Sequence, residues 1–109
     1  MPLFAVIGLD DPADALAKRN AGLADHRDYL KAHDERMLLV GPLRDENGNS
    51  CGSLYVFEAA SAGEIQAWLD REPFFRAGIY RELLIRRFDP VMSRLALRDW
   101  PGGYTSRGK

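Results

Sequence analysis

Two side chains in this 109-residue chain are suited to moving protons near neutrality, His26 and Glu72. An unperturbed imidazole titrates at about pH 6.5, so it both takes and gives a proton in that range. A carboxylate against one ring nitrogen would fix the tautomer and leave the other nitrogen for a substrate. Glu72 immediately precedes Pro73, which biases it towards extended backbone and lets it project from a loop. The plainer alternatives are a helix-flank histidine bonded to backbone or water, and a solvated carboxylate at a helix end.

Other residue types add to this pair. Arg19 can meet an anionic substrate or form an exposed ion pair. Gly41, Gly52 and Ser53 allow close backbone approach between two strands. Ser53 lacks the surroundings of a nucleophile elbow, so it reads as a hydrogen-bonding group or a strand-start residue. Phe74, Phe75 and Tyr80 can line an aromatic pocket or fill core. Metal binding has little support, because the two histidines stand seven apart and the single cysteine, Cys51, has no partner. His33, beside Asp34-Glu35, reads as a helix-end cation meeting the macrodipole. No glycine spacing matches a phosphate loop or a dinucleotide fingerprint.

The elements that must position these groups follow from pattern. Leu3 to Leu9 is continuously apolar, as in a strand buried on both faces. Asp11 can cap the following helix, with Pro12 in its first turn. That helix is expected from about Pro12 to His33, with Leu16, Leu23 and Leu30 as its apolar stripe. Arg19, His26 and His33 fall on one flank, within about 80° of the stripe, at the edge of the core. Met37 to Leu43 reads as a second strand, which Pro42 places at an edge or near its end. A polar loop with an Asn47-Gly48 turn leads into a third strand, Cys51–Glu58. Ser61 to Glu64 has capping-box spacing before a second helix that ends ahead of Pro73. Phe74 to Gly78 is expected as a turn or loop, and Tyr80 to Phe88 as the fourth strand.

The order β-α-β-β-α-β predicts an α+β, ferredoxin-like antiparallel sheet with helices on one face. Strands apolar on both sides then leave the other face needing cover, and a second copy of the sheet is the simplest cover. A homodimer is therefore expected. One domain spans residues 1–90, and 91–109 form a C-terminal extension whose Val91, Leu95, Leu97 and Trp100 can dock. Net charge of −1 argues against a nucleic-acid partner. No apolar run reaches the roughly 20 residues of a membrane span. The first residues enter a strand directly, so no signal peptide is expected, and a lone cysteine fits the cytoplasm.

The run Arg19-Asn20-Ala21-Gly22-Leu23-Ala24-Asp25-His26, followed by Tyr29-Leu30, resembles the helix of the YCII-related family. Gly41-Pro42, Gly52-Ser53 and Trp68…Glu72-Pro73-Phe74…Ala77-Gly78…Tyr80 match its further motifs in order, over residues 3–88. The resemblance implies a ferredoxin-like dimer whose active site is a His–Asp dyad, carried here by His26 and by Glu72 in place of the usual Asp. A second Arg common in the family is Leu23 in this chain. Some members are linked to breakdown of substituted aromatics by elimination.

On this reading the chain is a small-molecule enzyme needing no cofactor and no metal. His26 and Glu72 carry the chemistry, and Arg19, Gly41, Pro42, Ser53, Phe74 and Tyr80 meet the substrate. The alternatives are a non-catalytic ligand-binding or regulatory dimer, and a cofactor-free monooxygenase or isomerase-like protein of the same architecture.

Overall fold

The computed structural model describes residues 1–92; Val91, expected to dock, is 96% exposed instead, and Leu95, Leu97 and Trp100 lie outside the described residues. Four antiparallel strands stand in the order β2-β3-β1-β4, and the helices cover one face. β1 (Leu3–Asp10) lies between β3 and β4, and it is not buried on both faces as its apolar run suggests: Phe4, Val6 and Gly8 are buried, whereas Ala5 and Ile7 are half-buried and Leu9 is exposed, because the helices cover one face. β2 (Met37–Arg44) is an edge strand and tolerates Pro42 there. It turns through Gly48, with φ of 84°, into β3 (Ser50–Glu58). β4 (Tyr80–Arg87) closes the other edge.

Alternation along the strands sorts the side chains. Phe4, Val6, Tyr55 and Phe57 point towards the helices, where Leu30, Ile65 and Leu69 complete the core. Ala5, Ile7, Leu9, Leu54 and Leu84 have the opposite parity, and Leu84 is 42% exposed.

α1 (Ala15–Ala32) corrects the expected apolar stripe. Leu16 and Leu23 are 51% and 39% exposed, and the buried positions are Ala15, Arg19, His26 and Leu30. The heptad of leucines is thus not the inward face; the flank carrying the polar residues is. Asp11 does not cap α1 either. Its side chain accepts from Ala13 N in a local turn, and Asp14 stands at the cap position without a side-chain bond. His33 ends the helix with its ring nitrogen against Tyr29 O.

α2 (Ala62–Leu69) starts at Ser61, whose hydroxyl accepts from Glu64 N as the capping box predicts. The expected turn at Phe74–Gly78 is instead a short helix, α3 (Pro73–Arg76). Pro73 suits its first position, and Glu72 caps it. Gly78, with φ of 73°, then turns the chain into β4.

Candidate active site

α1 and α3 bring His26 and Glu72 together. His26 Nδ1 lies 2.6 Å from Glu72 Oε2, and Glu72 is fully buried. The local reason is the cap. Extended backbone at Glu72 folds its carboxylate over the first turn of α3, where it accepts from Phe74 N at 2.9 Å and Phe75 N at 3.3 Å. Tyr55 OH donates to Oε1 at 3.2 Å. Each carboxylate oxygen therefore accepts twice, which meets the need of a buried anion for donors. Glu72 is longer than the usual capping Asp, and it spans both tasks, holding the helix end and the imidazole.

Phe74 fixes the plane of the imidazole. The two rings stack at 3.8 Å between centroids with 3° between planes. Two turns earlier on the same helix, the Arg19 guanidinium stands 5.2 Å from the Phe74 centroid and 5.9 Å from that of Tyr80. Arg19 does not form the exposed pair considered from sequence. It is buried and grips Asp10 through Nε at 2.7 Å and Nη2 at 2.8 Å. Burial disfavours the cation, but the bonds and charge of Asp10 outweigh it, so the guanidinium pKa is raised.

Between Arg19 and Glu72 runs a row of hydroxyls. Arg19 Nη2 donates to Ser53 Oγ at 3.0 Å. Ser53 and Tyr80 hydroxyls are 2.9 Å apart, as are those of Tyr80 and Tyr55. Burial raises the pKa of Tyr55 well above the ordinary phenol value, helped by Tyr80 and Glu72. Burial also raises that of Tyr80, against the opposing effect of its bonds to Ser53 and Tyr55. Both phenols keep their protons at neutral pH.

Of the residues expected to meet substrate, Arg19, Ser53, Phe74 and Tyr80 gather around the His26–Glu72 pair. Gly41 and Pro42 do not join this network. They sit on the edge strand opposite Leu54 and Ser53, and a side chain at Gly41 would face open space. At Gly52 an added Cβ would lie 2.5 Å from Gly8 O, so its smallness serves strand packing rather than a ligand.

Sequence reasoning passed over Asp10, Tyr55 and Gly8. Asp10 reads as a strand stop, although an acid ending one strand ahead of a helical Arg is a visible cue. Tyr55 reads as core, although it shares the parity of Ser53. At Gly8 a Cβ would come within 2.7 Å of the Tyr80 ring, so this glycine makes room for the phenol to reach inward. Among the described residues, one hollow of about 230 Å³ lies beside Phe57, Ile65 and Trp68, and another of about 250 Å³ is lined by Asp10, the partner of Arg19, with Pro12 and Cys51. Among the described residues no group of three or more His, Cys, Asp or Glu could hold a metal ion, and no helix is long and apolar enough to cross a membrane.

The YCII-related domain model matches residues 3–89. The chain belongs to the YCII-related family. Protein YciI of Escherichia coli O6:H1 is 34% identical over 97 residues, covering 82% of this chain and 99% of the relative, and that of Shigella flexneri matches equally. Among solved structures, this YCII-related chain is similar to 5-chloro-2-hydroxyhydroquinone dehydrochlorinase from Burkholderia phenoliruptrix, in complex with 2,5-dihydroxybenzoquinone. The TM-score is 0.71 at 24% identity, over 80% of this chain and 93% of that one. A Bacteroides thetaiotaomicron protein described as an antibiotic biosynthesis monooxygenase aligns at TM-score 0.55 and 14% identity, over 89% and 95%. At these identities both structures bear on the fold, which is ferredoxin-like and α+β as the element order predicts.

Proposed function

We propose that the chain is a small-molecule enzyme in which His26 moves a proton and Glu72 holds it in position. The observation that carries this is the 2.6 Å bond from His26 Nδ1 to a buried, fully engaged carboxylate. With Nδ1 committed to Glu72, Nε2 is the nitrogen that would take a proton from substrate and return it. Proton abstraction beside a carbonyl or hydroxyl, or elimination of a leaving group, fits this pair. The dehydrochlorinase of like fold makes hydroxylated aromatics the first class to try, with Arg19 the nearby charge for an anionic oxygen. A second copy of the chain covering the open sheet face completes the proposed assembly.

The test is a panel of chlorinated and unchlorinated hydroxyhydroquinones, followed by halide release and by hydrogen–deuterium exchange into substrate. Wild-type chain turns over at least one member, and His26→Ala loses it, by roughly 100-fold or more, while circular dichroism at the assay temperature still shows a folded chain, its melting temperature lowered because Glu72 loses a donor. Full activity in that variant overturns the assignment.

One observation favours a second reading: neither hollow touches His26 or Glu72. On that reading the pair is a clamp fastening α1 to α3 in a non-catalytic binding protein. A ligand would then raise the melting temperature by mass action, and no product would form on long incubation.

A further inference from the structure

Tyr55 has one hydroxyl proton and two acceptors within reach. Glu72 Oε1 lies 3.2 Å from its oxygen, and the Tyr80 hydroxyl lies 2.9 Å from it. Which of them holds the proton depends on where Tyr80 sends its own. Tyr80 OH donates to Ser53 Oγ at 2.9 Å, and Arg19 Nη2 donates to the same oxygen at 3.0 Å. Tyr80 then has no proton left for Tyr55. The contact between the two phenols is therefore a hydrogen bond only if Tyr55 donates.

The distances say how that proton is divided. A hydroxyl committed to a carboxylate normally closes to about 2.5–2.7 Å, and O–H···O bonds in general span about 2.5–3.0 Å. The contact with Glu72 is longer than both ranges, whereas the contact with Tyr80 falls inside the second. The charged acceptor is the stronger one, yet it has the longer bond. Tyr80 competes because of where it is held. Gly8 leaves room for its ring, and Ser53 takes its proton. A hydroxyl that donates becomes a better acceptor, so the bond to Ser53 sharpens Tyr80 as a destination for the Tyr55 proton. Burial keeps both phenols protonated, so each has a proton to place.

We propose that Tyr80 is a positioning residue that draws the Tyr55 proton away from Glu72 and so leaves the carboxylate a stronger hold on the His26 Nδ1 proton. Its use in catalysis rests on the acid–base reading, whereas the proton arrangement belongs to the resting protein. Glu72 also accepts from Phe74 N and Phe75 N, and its 2.6 Å contact with His26 is the shortest of the four. Each further donor to a carboxylate lessens the charge it offers the others. A carboxylate with charge to spare favours the protonated imidazole, which makes Nε2 a readier base.

The experiment reads the proton on His26 Nδ1 by NMR in Tyr55→Phe, Tyr80→Phe and the double variant. Tyr55→Phe takes a donor from Glu72, which then pulls harder on the imidazole, and the proton moves downfield. Tyr80→Phe removes the competing acceptor, Tyr55 turns wholly to Glu72, and the proton moves upfield. In the double variant there is no phenol proton to divide, so the shift stays where Tyr55→Phe puts it. Mere loosening of the fold would move the proton upfield in all three. An upfield or absent shift in Tyr55→Phe overturns the proposal. So does a downfield or absent shift in Tyr80→Phe, or a Tyr80→Phe effect that persists in the double variant. Neutron diffraction of the deuterated wild-type chain needs no variant. A Tyr55 deuteron aimed at Tyr80, or lying between the two acceptors, supports the proposal. One aimed at Glu72 alone, or a Tyr80 deuteron aimed at Tyr55, overturns it. Turnover by His26→Ala tests the acid–base function separately, so either can fail without the other.

Discussion

At the scale of single residues, Glu72 joins two demands that rarely fall on one carboxylate. It caps a short helix through Phe74 N and Phe75 N, and it bonds His26 and Tyr55 from the same two oxygens. Glu72→Gln places an amide donor among groups that all donate, which strands at least one of them without water. The expected cost is about 2–4 kcal/mol of unfolding free energy, from roughly 1–3 kcal/mol for each unsatisfied buried group. Urea denaturation measures it, and a loss under about 0.5 kcal/mol would mean the site relaxes freely. The buried phenols give a pH dependence with a definite sign. Tyr55 and Tyr80 have folded pKa values raised above the unfolded value of about 10. Their contribution to stability is complete below that value and is lost as pH rises from there through the folded values. Chemical denaturation at stepwise alkaline pH should show stability falling above about pH 10, and Tyr55→Phe should flatten that fall.

Among the elements, the packing of β1 against β4 decides whether Tyr80 reaches the site. Gly8 stands where a methyl group would meet the Tyr80 ring at 2.7 Å, and the ring edge cannot simply swing away because its hydroxyl is held by Tyr55 and Ser53. Gly8→Ala should therefore destabilise the chain by about 1–3 kcal/mol, the usual range for overpacking. The Tyr80 resonances should shift with it, whereas Gly41→Ala, facing open space, should leave melting temperature and spectra near wild type. Much of this level was legible in the sequence. The strands, the Ser61 cap and the edge position of Pro42 were all readable from local pattern. The inward face of α1 was not. Leucine periodicity points to Leu16 and Leu23, but what faces the core is settled by partners on other elements, and Arg19 and His26 have theirs in Asp10 and Glu72.

For the whole molecule, the side of the sheet away from the helices is the surface on which the proposed assembly rests. Ala5, Ile7, Leu9, Leu54 and Leu84 share its parity, and Leu9 and Leu84 are well exposed. Leu84→Glu places a charge on this face, on the edge strand β4 beside Ile7, without touching the helix side, so sedimentation should report a shift from the proposed dimer to monomer. An unchanged sedimentation coefficient would place the interface elsewhere.

The sequence by itself determined the ferredoxin-like order of elements, because strand and helix periods, caps and turns are local properties of the chain. It also offered His26 and Glu72 as residues able to move a proton. Tertiary structure decided that the two touch, that Asp10 and Tyr55 belong with them, and that Gly41 and Pro42 stand apart. The physical reason is that hydrogen bonds between residues distant in sequence are chosen by which elements pack together. A residue's local pattern has no record of the partner that another strand or helix will deliver to it.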